Sequence, residues 1–112
     1  MSAPFVATLR VRPEAIRLGD GADAGGATRV TLRVEMPEVW DAVRVETPLT
    51  ERALTLKRRA LEALYPDYEY PEDFVVKLRG FEVLDEGATL AQVGARDGSI
   101  FLLTHRRRRP VR

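Results

Sequence analysis

Residues 28–46 read TRVTLRVEMPEVWDAVRVE, and this stretch decides the fold. Val30, Leu32 and Val34 alternate with Thr31, Arg33 and Glu35, the period-two pattern of a strand with one dry and one wet face. Pro37 and Glu38 interrupt it. The alternation resumes over residues 40–46, with Val43 and Val45 on one side and Arg44 on the other. Two such runs joined by a short turn predict an antiparallel hairpin. Its apolar face needs a second layer to cover it.

The chain immediately downstream supplies that layer. Thr47-Pro48-Leu49-Thr50 carries helix-start chemistry. Thr50 can cap, Glu51 suits the positive end of the helix dipole, and Leu49 can staple onto Leu54. An alternative start uses Thr47 as the cap with Pro48 at the first helical position. Ala53, Leu56, Ala60, Leu61 and Leu64 recur at helical spacing, while Arg52, Lys57, Arg58, Arg59 and Glu62 fill the polar positions. Pro66 predicts a stop near Tyr65. Residues 74–78 then read as a strand, Arg79-Gly80 as a turn and residues 81–84 as a short return. Asp85-Glu86-Gly87 turns again. Thr89 can cap a single helical turn that ends near Gly94, and Asp97-Gly98 leads into a last strand over residues 99–104. In that strand the expected facing puts Ile100 and Leu102 toward the helix, with Phe101 and Leu103 on the opposite side. The succession predicts an α+β roll: a mixed four- to five-stranded sheet packed on one main helix, the last strand parallel to the first.

Outward from this region the chain simplifies. Residues 5–11 alternate loosely, with Val6 and Leu9 among the apolar members. Residues 19–27 read GDGADAGGA, the best linker in the sequence. The predicted organisation is an extended arm over residues 1–18, available as an extra strand, and a Gly-rich linker over 19–27. The main domain spans 28–104, and a basic tail covers 105–112. The arm can pack on the domain, pair with a second copy as a homodimer, or be disordered.

Composition limits the chemistry. The 112 residues are 45% hydrophobic and 31% charged, which suits one small core. Cysteine is absent, which excludes disulfides, thiolate metal sites and thiol nucleophiles. His105 is the only histidine. Asp67, Glu69, Glu72 and Asp73 lie in a loop with no metal-binding histidine or nucleophile beside them. The glycines of residues 19–26 lack the lysine-serine or lysine-threonine ending of a phosphate-binding loop. No catalytic residue, metal site or cofactor is predicted. The formal net charge is +1, yet five arginines stand among the last seven residues, leaving −4 for the remainder. No apolar run approaches the roughly 18 residues that span a bilayer, and the N-terminus lacks a secretory pattern. The expected location is cytoplasmic, with a peripheral association to a membrane assembly allowed.

From Thr28 to Leu103, about two-thirds of the chain, the order of elements resembles ubiquitin-like β-grasp domains. The best local match runs from Leu84 through Asp85, Glu86, Gly87, Ala88 and Thr89 to Leu90, and on to the final strand at Ile100 to Leu103. Lys57 sits within the helix much as a family lysine does. Among bacterial relatives the chain looks most like the small YukD/EsaB-type proteins associated with type VII secretion. The resemblance implies a non-catalytic module or adaptor that binds a protein partner through its open sheet face, as an accessory of a secretion-associated assembly. The expected docking residues on that face are Val75, Phe101 and Leu103. The tail departs from the conjugated members of the family, which end in two glycines. Here His105 is followed by Arg106, Arg107, Arg108 and Arg109, then Pro110, Val111 and Arg112. Conjugation is therefore disfavoured. The arginines are a candidate handle for an acidic protein surface, anionic lipid or phosphate. Nucleic-acid binding through them is the alternative, weakened because no aromatic residue interleaves the run.

Overall fold

The computed structural model describes residues 10–18 and 29–106. The linker at 19–27, the arm before Arg10, and Arg107, Arg108, Arg109 and Arg112 lie outside the described residues. Strand β1 spans Arg10–Arg17, β2 Arg29–Met36 and β3 Asp41–Pro48. Helix α1 spans Ala53–Leu64 and is followed by β4 (Phe74–Leu78), β5 (Phe81–Glu82) and β6 (Ile100–His105).

β2 and β3 form the expected hairpin, with Leu32 opposite Val45 and Val34 opposite Val43. Its connection is a 3₁₀ turn over Pro37–Val39, closed by Trp40 in the left-handed region at φ 55° and ψ 44°. β6 runs parallel to β2 and antiparallel to β4, which pairs with β5. The sheet order is β1-β3-β2-β6-β4-β5. The five strands after the linker make a mixed sheet, and the arm adds a sixth by pairing parallel to β3. Its register shifts between Val11 and Ala15, across Pro13, a residue that cannot donate a ladder hydrogen bond and is tolerated at a sheet edge. Leu18 follows β1 into the core at 2% exposure, and Arg29 Nη2 ties the end of the arm down by donating to Leu18 O at 3.0 Å and Glu46 O at 3.2 Å.

The helix packs its Ala53, Leu56, Ala60, Leu61 and Leu64 stripe against the sheet, as the spacing predicts. Its start corrects the sequence reading. Neither threonine caps it: Thr47 is buried in β3 and donates to Pro48 O, while Arg52 occupies the cap position without a side-chain bond. The first amide groups are satisfied from a distance instead, Ala53 N donating to Ala88 O at 3.0 Å and Leu54 N to Glu86 O at 2.8 Å. With Arg52 at the cap, the staple positions fall at Glu51 and Leu56 rather than at Leu49 and Leu54.

Lys57 is a second correction. Placed by sequence on the polar side, it is 1% exposed, and its ammonium donates to both carboxylate oxygens of Glu86 at 3.1 and 2.9 Å. The same 85–89 segment therefore caps the helix and neutralises its buried charge. Thr89 heads the tight turn that follows: Gln92 N donates to Thr89 Oγ1, and Thr89 N donates to Gln92 Oε1. This reciprocal pair is the capping-box arrangement in a single turn.

The facing of β6 is the third correction. Phe101 and Leu103, expected on the open face, are both 0% exposed in the core. Ile100 and Leu102 point the other way. The turn before the strand sets this phase. Gly98 adopts φ +87°, its N–H donates to Thr31 O, and Thr31 N donates to Asp97 Oδ1. That arrangement pairs Arg33 with Ile100 and Val34 with Phe101. Directly paired residues share a face, so Ile100 joins Arg33 outside and Phe101 joins Val34 inside.

Candidate docking surface on the open sheet face

One side of the sheet carries the helix and the other does not. The open face presents Ile100, Leu102 and Thr104 from β6, Arg33 and Glu35 from β2, and Val75 and Lys77 from β4, in the register of the ladders. Leu102 is flanked directly by Glu35 and Lys77, and Ile100 by Arg33. Ile100 is 50% exposed and Leu102 is half-buried. Arg33 Nε lies 2.9 Å from Glu35 Oε2, an ion pair along the strand rather than across it. Farther toward the arm, Arg17 pairs with Glu46 at 2.8 Å. The result is a short apolar strip framed by both signs of charge, with cations on either side of β6.

Of the three docking residues predicted from sequence, only Val75 lies on this face, where it pairs with Thr104. It is 6% exposed, so it is covered rather than open. Phe101 and Leu103 are core residues. Ile100 and Leu102 were missed because a strand of consecutive apolar residues gives no alternation from which to read its phase.

The root of the basic tail is fixed at one end of β6, with His105 on the helix side of the sheet opposite Phe74 and Arg106 beside the open face. The His105 ring stacks on Phe74 with centroids 4.3 Å apart, and His105 N donates to Glu38 Oε2 at 3.2 Å. Arg106 N donates to Asp73 O at 2.7 Å, its Nε donates to Glu72 O at 3.2 Å, and Nη1 reaches Glu82 Oε2 at 3.4 Å. Arg106 is thus held by backbone carbonyls of the acidic loop at Glu72 and Asp73 and by the carboxylate of Glu82. Tyr65 and Tyr68 pack edge-on against Phe74, which makes them part of the core rim, whereas Tyr70 is exposed.

Two further apolar features are exposed, and the sequence assigns neither of them a side. Phe81 and Leu84 are 77% and 83% exposed and edge a groove of about 530 Å³ floored by Leu78, Val83 and Val93. Trp40 is also exposed, at the hairpin turn. Their short segments lack the periodicity that separates inside from outside.

The single histidine is engaged in a ring stack, and among the described residues no group of three or more His, Cys, Asp and Glu side chains could hold a metal ion.

No protein-family model matches the chain, and no curated protein matches it in sequence. Solved structures do match. The C-terminal ubiquitin-like domain of mouse tubulin-specific chaperone e superposes with a TM-score of 0.66 at 12% identity, covering 81% of this chain and 100% of that one. A ubiquitin-like domain of an Arabidopsis thaliana protein gives 0.61 at 16% identity, over 79% of this chain and 88% of that one. The ubiquitin of Caldiarchaeum subterraneum gives 0.60 at 16% identity, over 71% and 96%. Together with the strand order and the single packed helix, these likenesses place the chain's architecture: it has the ubiquitin-like β-grasp fold.

Proposed function

We propose that this domain is a non-catalytic protein-interaction module that docks a partner on its open sheet face, through Ile100 and Leu102 with Arg33 and Lys77 at the edges. The observation that carries the reading is Ile100. It is a large aliphatic side chain held half exposed by the register of β6, beside Arg33 and next on its face to the half-buried Leu102, which lies between Glu35 and Lys77. Apolar residues framed by polar ones are what a docking strip requires. Capture of partners by the intact chain, compared with Ile100→Glu and Leu102→Glu variants of unchanged circular dichroism, tests it. Loss of the same partner with both variants supports the reading, and equal recovery refutes it.

The finer form of the proposal is an adaptor at a secretion-associated assembly, drawn from the resemblance to YukD/EsaB-type proteins. Co-purification with a membrane ATPase of such an assembly would be its specific support, and its absence from every preparation would refute it. Among the described residues no helix is long and apolar enough to cross a membrane. The arginines after residue 105 would add an electrostatic contact to an acidic partner. Salt-sensitive retention on generic nucleic acid would favour the alternative reading of that tail. A homodimer built by exchange of β1 is a further form of assembly, since the residues that receive Leu18 would receive the same strand from a second copy.

A further inference from the structure

We propose that Arg106 is a latch over Val75, and that a carboxylate-rich partner segment opens it, extending the docking strip from Leu102 to Val75. This concerns regulation of the open face and rests on the docking reading above, but its test is read on the protein alone.

Val75 is the starting observation. It points to the open face, opposite Thr104, and stands apart from the core cluster, yet only 6% of it is exposed. The segment after β6 is placed to cover it. Arg106 is anchored through its backbone at Asp73, two residues before Val75, and its guanidinium reaches Glu82. Glu82 pairs with Lys77, two residues beyond Val75 on the same strand. A side chain anchored at one of these points and reaching the other crosses the position of Val75. Arg106, Val75, Thr104 and Glu82 line one groove of about 620 Å³.

The contacts of this latch differ in durability. The backbone bond to Asp73 O is short and uncharged, and it continues the β4–β6 ladder. The contact to Glu82 joins side chains that are 47% and 33% exposed, at 3.4 Å and through one nitrogen. Salt and water weaken such a pair. An incoming carboxylate competes with Glu82 by the same chemistry and can add the two-pronged geometry that the present contact lacks. When the guanidinium turns to that ligand, the Val75 methyl groups are uncovered diagonally across the sheet from Leu102. The acidic segment and the apolar strip then act on one partner.

Methyl NMR of the full chain at low salt, titrated with a hexaglutamate peptide, tests the latch. In the unsubstituted chain the Val75 methyl resonances move toward the positions they hold in Arg106→Ala. Arg106→Ala itself shows no further movement with peptide. Added sodium chloride moves the same resonances in the unsubstituted chain and not in Glu82→Gln, where the pair is already weakened. Val75 resonances that stay fixed while the peptide binds, failure of the peptide to bind, or an Arg106→Ala spectrum with Val75 unmoved would each overturn the latch. A responsive Val75 in a chain whose partner ignores Ile100→Glu would keep the latch and sink the docking reading. The opposite pairing would do the reverse.

Discussion

Removing the carboxylate of Glu86 should damage this domain far more than removing the ammonium of Lys57, although the two form one ion pair. Lys57 is 1% exposed, whereas the Glu86 side chain is 22% exposed. Glu86→Ala leaves an ammonium in the core with both of its observed side-chain hydrogen bonds gone. Breaking a buried pair in this way costs about 3–5 kcal/mol, a large part of the roughly 5–15 kcal/mol that holds a domain folded. Lys57→Met keeps the aliphatic stem that fills the space beneath the helix and removes the charge that needed a partner. Glu86 can then turn to water, so the cost falls to about 1–2 kcal/mol. The double variant Lys57→Met/Glu86→Gln should be more stable than Glu86→Ala, because no unpaired buried charge remains. Urea unfolding followed by circular dichroism measures all three. The exposed Trp40 makes fluorescence the poorer probe. A Lys57→Met chain as unstable as Glu86→Ala would refute the reasoning.

Other consequences separate the two faces and the added strand. Phe101→Ala should cost about 3–5 kcal/mol and Ile100→Ser less than about 1 kcal/mol, despite their adjacency, because one is core and the other open; urea midpoints decide. Leu18→Ala should lower stability by about 2–4 kcal/mol, read in the same way, since the arm places that side chain in the main core. Trp40→Asn should leave stability unchanged or raise it by up to about 1 kcal/mol, because asparagine tolerates the left-handed backbone and the indole is exposed; thermal unfolding checks this.

The parts of the fold that the sequence announces are those with a clean period. The alternation of Val30, Leu32 and Val34 and the helical recurrence of Leu56, Ala60 and Leu64 each define a face without knowledge of any neighbour. The facing of β6 has no such internal signal, because Ile100, Phe101, Leu102 and Leu103 are all apolar. Its phase is set by the contacts of Thr31 with Asp97 and Gly98, which lie 66 or more residues further along the chain. The helix start failed for a related reason. Threonine spacing suggests a local cap, but remote carbonyls at Glu86 and Ala88 already satisfy the amides. Lys57 reads as surface because its partner, Glu86, is 29 residues away. The docking strip inherited the error in β6, so its location was legible to the level of the sheet face and its residues were not.

The claim that matters most is that the open face receives a protein. Photo-cross-linking in cells tests it directly, with a benzoylphenylalanine placed at Ile100 and, for comparison, at Arg58 on the exposed side of the helix. The account predicts a discrete protein adduct from position 100 that is absent from position 58. Adducts from the helix position alone, with none from the sheet, would contradict it.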